Sequence, residues 1–299
     1  MIDPGFLDEL DRFDTSLKRV SNARRQGEQE SPDVGEGLTF SDHRRYAAGD
    51  DPRLIDWKVY ARTEELFIKR FEAERNLTVH VLLDASASMD FGAAGTNKFE
   101  YGAKLGLGFC HLTAEENNDF RFSLLGDLPD RIDTDASSRG EVLRLVERLN
   151  ETTPGGDGDI TAALSTYAES IHSRSLVVVV SDLLFDPDDV AAGLAALARN
   201  DVLVAQVLTP EELGPEATGD AIFEDPESEA THRTYFGGSA ARQYTDRLQS
   251  HLAAVDERCQ ALGIERELVD TGADFFDTFA DLWLGARLGG ERRGGRGGG

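Results

Sequence analysis

From residue 77 onward the chain switches repeatedly between two hydrophobic rhythms. Residues 77–83 (Leu-Thr-Val-His-Val-Leu-Leu), 120–125, 176–180, 202–208 and 264–269 are short runs of Val, Leu, Ile and Phe that predict strands. Between them apolar residues recur at helical spacing. Phe99, Ala103, Leu107 and Cys110 open one helix; Val142, Leu145, Val146 and Leu149 mark a second; residues 160–171 and 187–199 supply two more. Tyr244, Leu248, Leu252, Val255, Cys259 and Leu262 predict a long helix, and residues 275–288 a closing one. Nearly continuous apolar strands alternating with helices predict an α/β fold: a doubly wound, mostly parallel sheet with helices on both faces. Ahead of it, Phe6, Leu7, Leu10, Phe13 and Leu17 predict a helix over 6–20, followed by a polar linker over 21–37. Residues 38–75 mix aromatic and charged residues without a clean period, and the acidic stretch 209–228 reads as a surface excursion. The expected organisation is an N-terminal helix and linker (1–34), a segment packed on the main domain (35–76), the main domain (77–288) and a disordered Gly/Arg tail (289–299).

Charge narrows the partners. The 299 residues carry 31 Lys+Arg against 56 Asp+Glu, a net charge of −25. Such a surface repels nucleic-acid phosphates and anionic lipid headgroups, so neither is an expected partner. Only five of the cations are Lys, beside 26 Arg. This balance suits a salt-rich cytosol, where ions screen the repulsion between surface carboxylates, better than an ordinary acidic protein. Cys110 and Cys259 stand 149 positions apart in helical patterns, which predicts buried thiols of a reducing compartment and no zinc site. The start, Met1-Ile2-Asp3-Pro4-Gly5, lacks a basic and then apolar leader, and the longest strongly apolar run is far short of a membrane span. A soluble, cytoplasmic chain is expected.

Candidate chemistry gathers at strand ends. Val81-Leu82-Leu83 runs into Asp84-Ala85-Ser86-Ala87-Ser88, placing one carboxylate and two hydroxyls on a single short loop. In open α/β sheets, ligands bind outside the carboxyl ends of strands. A second polar loop, Pro154-Gly155-Gly156-Asp157-Gly158-Asp159, precedes the helix at Ile160, and Ser181-Asp182 follows the Val run. Hard oxygens from three loops suit Mg²⁺, or Mn²⁺, rather than zinc or copper. The alternative role for Asp84 is a simple helix cap.

This order resembles the von Willebrand factor type A domain and its metal-ion-dependent adhesion site. The resemblance implies Ser86 and Ser88 as direct ligands, Asp84 and Asp182 acting through water, and an open position filled by a partner's carboxylate. The match departs at the Thr of the Gly-rich loop. Counted from Gly155-Gly156 its place falls on Asp157; counted back from Ala163-Leu164 it falls on Gly158. An Asp there would add a negative ligand and weaken attraction for a partner's carboxylate, whereas a Gly would remove a ligand.

Residues 40–57, Phe-Ser-Asp-His-Arg-Arg-Tyr-Ala-Ala-Gly-Asp-Asp-Pro-Arg-Leu-Ile-Asp-Trp, followed by Ala61-Arg62, sharpen the resemblance. Arg44, Arg45, Tyr46, Gly49, Asp50, Asp51, Arg53, Asp56, Trp57 and Arg62 resemble the signature of the family known as domain of unknown function 58. That family joins this signature to a von Willebrand A-like domain, often with N-terminal membrane spans, so the present chain resembles a soluble short form. The family's frequent link with MoxR-type AAA+ ATPases implies a partner of that kind and a role in assembly or maturation of client proteins. From the residues alone, segment 42–75 is neutral, with eight basic and eight acidic residues. Its arginines could clamp a partner's carboxylates, or pair with Asp50, Asp51 and Asp56 while Trp57 anchors the segment.

The expected function is therefore binding rather than catalysis. A metal-dependent phosphoester hydrolase is the alternative, although Ser86 stands where an aspartyl-phosphate enzyme keeps a second acid. The chain also lacks a phosphate-binding Gly-Lys loop, a Gly-x-Ser-x-Gly elbow and a His-Glu-x-x-His motif. A scaffold with a degenerate metal site is the third reading.

Overall fold

The apolar runs become the middle of a six-stranded sheet, and the run 176–180 is buried along its whole length. In this computed structural model the described residues are 2–3, 5–25, 38–47, 55–63, 65–73, 78–215, 219–224 and 231–294. In chain order the elements are α1 (Phe6–Arg25), β1 (Leu38–Arg45), α2 (Trp57–Thr63), β2 (Phe67–Ala73), β3 (Thr78–Asp84), α3 (Lys98–Glu115), β4 (Asp119–Leu125) and β5 (Pro129–Arg131). There follow α4 (Arg139–Glu151), α5 (Ile160–Ala168), β6 (Leu176–Ser181), α6 (Pro187–Leu197), β7 (Asp201–Leu208) and α7 (Pro210–Leu213). The last elements are β8 (Gly219–Glu224), β9 (Thr231–Phe236), α8 (Gly238–Leu262), β10 (Glu265–Asp270) and α9 (Phe275–Gly294). Two compact units result, one of residues 17–76 and one of residues 1–16 with 77–299.

In the larger unit the strand order is β10-β7-β6-β3-β4-β5, parallel except for the short antiparallel edge strand β5. Both faces of the central strands are buried, so alternate residues serve opposite layers. Leu82, Val177, Val179, Val202 and Val204 share a core with Ile160, Leu164, Val190, Leu194, Val255 and Cys259 of α5, α6 and α8. Val81, Leu83 and Val180 face α3, where a Cβ added at Gly102 or Gly106 would stand under 3 Å from their methyl groups. At Gly106 that carbon would also meet the Phe122 ring at 2.7 Å. The helix lies against the sheet because these positions have no side chain. Gly106→Val should therefore force the helix outward and lower stability by about 2 kcal/mol, within the usual cost of overpacking. A urea titration checks this, and an unchanged midpoint would mean the helix can slide.

The first turns of α1 belong to this unit. Phe6 and Phe13 pack on Phe275, Phe276 and Phe279 of α9, and Asn150 of α4 clasps the Ile2 backbone through two hydrogen bonds of 2.7 and 2.9 Å. Both cysteines are buried and free, as expected of reduced thiols. The closing helix continues to Gly294, into the stretch whose composition suggests a tail; residues 295–299 lie outside the described set.

The smaller unit shows what the pattern does not reveal. Residues 38–75 have no clean period, yet β1 and β2 pair antiparallel there with α2 between them. A register shift between Phe40 and Asp42 breaks the alternation that would betray a strand. The acidic stretch 209–228 likewise holds α7 and β8, the latter paired with β9.

Buried His80 on β3 bonds the Tyr167 hydroxyl at 2.8 Å. Burial, followed by the charge of Arg121, lowers its pKa to about 4. The folded protein thus keeps this ring neutral between pH 4 and 6.5, while the unfolded chain protonates it. Its contribution is whole above pH 6.5 and is lost as pH falls to 4, a difference on the order of 3 kcal/mol. The stability gap between the wild type and His80→Gln should shrink by about 2 kcal/mol between pH 7 and pH 4.5; a constant gap would contradict the assignment.

Candidate functional site at the sheet rim

β3 delivers Asp84 at its carboxyl end, next to the point where strand order reverses between β3 and β6. The chain then turns through a short 3-10 segment, Ala87–Met89. Asp84 is buried; one carboxylate oxygen accepts the Ser86 amide at 2.9 Å and the other the Ser181 hydroxyl at 2.5 Å. Loop 154–159 is stitched to the same turn: the Gly155 amide donates to the Ala85 carbonyl at 2.8 Å, and the Ala87 amide to the Gly156 carbonyl at 2.9 Å. Three of the sequence-derived segments therefore meet at one place.

Ser86 and Ser88 stand with their Oγ atoms 3.2 Å apart. Adjacent ligands of an octahedral Mg²⁺ are separated by about 2.9 Å, so the pair is spaced for one ion. It is Gly158, in the left-handed region at φ +65°, that lies against Ser86, with an added Cβ only 3.2 Å from the Ser86 Cβ. Its neighbour Asp157 is exposed.

Asp182 is fully buried and its two carboxylate oxygens are engaged. One accepts the Leu184 amide at 3.2 Å; the other accepts Lys98 Nζ at 2.7 Å. Lys98 also bonds Glu212 Oε1 at 2.7 Å and is itself only 1% exposed. Glu212 is held by its capping box with Thr209, and the Gln206 amide fixes the Asp182 carbonyl at 2.7 Å. Sequence reasoning missed Lys98 and Glu212. The available signal was rarity, since Lys98 is one of only five lysines. Three carboxylates against one ammonium leave the rim net negative. Burial, and next the charge of Asp182, push the Asp84 carboxyl up to about 6.

After Asp182 the backbone enters the left-handed region at Leu183 (φ 50°), a conformation rare for a branched side chain. Leu184 emerges exposed beyond it. Phe91 and Leu128, in the loops after β3 and β4, are exposed as well.

The signature residues belong to the smaller unit. Arg45 grips Glu65 through two hydrogen bonds of 2.8 and 2.7 Å, a carboxylate the sequence reading did not propose for it. Asp56 is buried and caps α2 by accepting the Val59 amide at 3.2 Å. Trp57 is 62% exposed and edge-stacked on Tyr60, so it projects from its helix instead of anchoring a core. Arg44 and Arg62 are exposed, Tyr46 is half-buried with its amide on the Leu66 carbonyl, and Gly49, Asp50, Asp51 and Arg53 lie outside the described residues.

A parallel sheet of this order, covered on both faces and carrying Asp-x-Ser-x-Ser at the end of its first parallel strand, is a doubly wound α/β domain that resembles the von Willebrand A domain. Residues 42–253 match the family described as "Protein of unknown function DUF58", and the chain belongs to that family. The uncharacterized protein Rv1480 of Mycobacterium tuberculosis is 26% identical over 231 residues, which cover 76% of this chain and 72% of that protein. Among solved structures, an aerotolerance-related membrane protein from Bacteroides fragilis is 14% identical, covering 71% of this chain and 99% of its own, with a TM-score of 0.45. The manganese-loaded TRAP protein of Plasmodium vivax is 16% identical over 44% of this chain and 56% of its own, with a TM-score of 0.35. Among the described residues, no helix is long and apolar enough to cross a membrane.

Proposed function

We propose that the chain is a non-enzymatic protein-docking module whose contact face is the carboxyl rim of its sheet. The observation that carries this reading is the hydrogen-bonded union of Asp84, Ser86, Ser88 and Ser181 with loop 154–159, edged by exposed Phe91, Leu128 and Leu184. Apolar side chains around a polar centre are how specific interfaces are commonly built. The donor set fits Mg²⁺, with Mn²⁺ able to replace it: Ser86 and Ser88 would hold the ion directly, while Asp84 and Asp182 would act through water. Bound there, the ion would offer a partner's carboxylate an open coordination position. With Gly158 in the loop, the protein supplies two neutral hydroxyls, leaving that attraction undiminished by a direct carboxylate ligand.

The partner in this reading is a MoxR-type AAA+ ATPase, which the module would help in assembling or maturing client proteins in a salt-rich cytoplasm. The signature segment, with Arg44 and Arg62 exposed and Trp57 projecting, offers a second contact surface. Mg²⁺ is expected to raise the thermal midpoint of the wild type but not of Ser86→Ala/Ser88→Ala. The wild type should also retain an AAA+ ATPase in affinity purification from its host, with the double variant retaining less. Equal Mg²⁺ shifts in the two proteins would remove the ion from the rim, and equal ATPase capture would remove the rim from the interface.

A further inference from the structure

Away from the rim, α1 meets α3 at an imidazole that lacks its hydrogen bonds. His111 is 0% exposed, and neither Nδ1 nor Nε2 has a hydrogen-bond partner among the described residues. Asp11 Oδ1 lies 2.9 Å from Nε2, a carboxylate contact that does not form a hydrogen bond. One turn further along α3, Glu115 shares the face of His111, as four-residue spacing requires. One ligand atom from each of Asp11, His111 and Glu115 lies within 4.8 Å of the other two. The second oxygen of Asp11 is occupied by Arg139 at 2.8 Å, which also reaches Asp8 at 3.4 Å. That grip leaves Oδ1 turned toward the ring.

A buried ring without a hydrogen bond at either nitrogen is costly, and binding a metal ion is one recognised way to offset that cost. We propose that Asp11, His111 and Glu115 form a transition-metal site, with Zn²⁺ as its ion. One imidazole nitrogen and two carboxylate oxygens suit Zn²⁺, while the imidazole disfavours Mg²⁺ and Ca²⁺. Three protein ligands leave a fourth tetrahedral position for water. Neighbouring ligands of tetrahedral zinc stand about 3.4 Å apart, so Asp11 Oδ1 and His111 Nε2, 2.9 Å apart, must part slightly while the Glu115 carboxylate draws in. Glu115, exposed at the end of its helix, has the freedom to do so. Arg139 then acts as an outer-shell group that orients the Asp11 carboxylate. Because Asp11 comes from α1 and the other two ligands from α3, the ion staples the N-terminal helix to the domain. α3 runs back from the rim, so Glu115 lies at the opposite edge of the sheet from Ser86, and the two ion sites are independent.

The test uses the full chain, stripped with a chelator and titrated with Zn²⁺ while its melting is followed. Saturating Zn²⁺ should raise the thermal midpoint by about 5 °C or more in the wild type and in Ser86→Ala/Ser88→Ala. The rise should vanish in His111→Gln and in Glu115→Gln; the second change is on the surface and keeps the fold testable. Co²⁺ in place of Zn²⁺ should give visible absorption bands of a tetrahedral site in the wild type, absent from Glu115→Gln. No rise in the wild type, an equal rise in Glu115→Gln, or loss of the rise in the serine variant alone would each overturn the proposal.

Discussion

Lys98→Met is expected to cost about 3–5 kcal/mol of folding stability, the loss typical when one partner of a buried ion pair is removed. The ammonium is enclosed and bonds two carboxylates at 2.7 Å each. Methionine fills similar space but leaves Asp182 and Glu212 facing each other without a cation. A buried carboxylate deprived of its partner must stay charged at high cost or take up a proton. Removing the charges together should undo most of the damage: Lys98→Met combined with Asp182→Asn and Glu212→Gln is expected to regain more than half of the loss, because neutral side chains avoid the desolvation of lone ions. Urea denaturation of the two variants at neutral pH measures both effects. A single-variant loss below about 1 kcal/mol would mean that water reaches these carboxylates freely.

Phe279→Ala should have an effect of similar size through a different cause. The ring is fully buried and touches Phe13 of α1, Phe109 of α3, and Phe275 and Trp283 of its own helix, with centroids 5.4–6.3 Å away. It also fills the space left by Gly108, where an added Cβ would meet the ring at 2.7 Å. Truncation opens a cavity between three helices that are fixed by the sheet and by each other. The expected loss is about 3–5 kcal/mol, or a fall of roughly 10 °C in thermal midpoint. The N-terminal helix should loosen first, since Phe13 loses one of its two ring neighbours on α9, and hydrogen exchange would report this as faster exchange in residues 6–16 than in β6. Uniform protection across both would show that the helix is held by its other contacts.

Much of the larger unit was legible because burial on both faces leaves little choice of residue. A strand such as 176–180 must be apolar at every position, and the helices covering it must show a stripe, so both rhythms survive in the sequence. The rim was legible at Asp84, Ser86, Ser88 and Ser181-Asp182, where polar residues directly follow such runs. It was not legible at Lys98. A lysine at the start of a helix is ordinarily a solvent-facing residue, and only the fold brings Asp182 and Glu212 around it. The Gly-rich loop could not be aligned by counting from its two ends, because its path depends on the hydrogen bonds that the Gly155 amide donates to the turn after β3 and the Gly156 carbonyl accepts from it. The small unit was hidden for another reason. A two-stranded ribbon held by backbone hydrogen bonds needs no apolar alternation, so β1 and β2 left no periodic trace. There Asp56, a cap, is buried, while the tryptophan beside it faces outward.

Gly158 limits how this protein can change over time. Its backbone adopts a conformation that β-branched residues strongly avoid, and a side chain there would press on Ser86. Threonine at this position would therefore be strained, and Ser86 would have to give way slightly to admit it. Descendants of this chain are more readily altered at Phe91, Leu128 and Leu184, whose exposed side chains can be exchanged without disturbing the backbone beneath them.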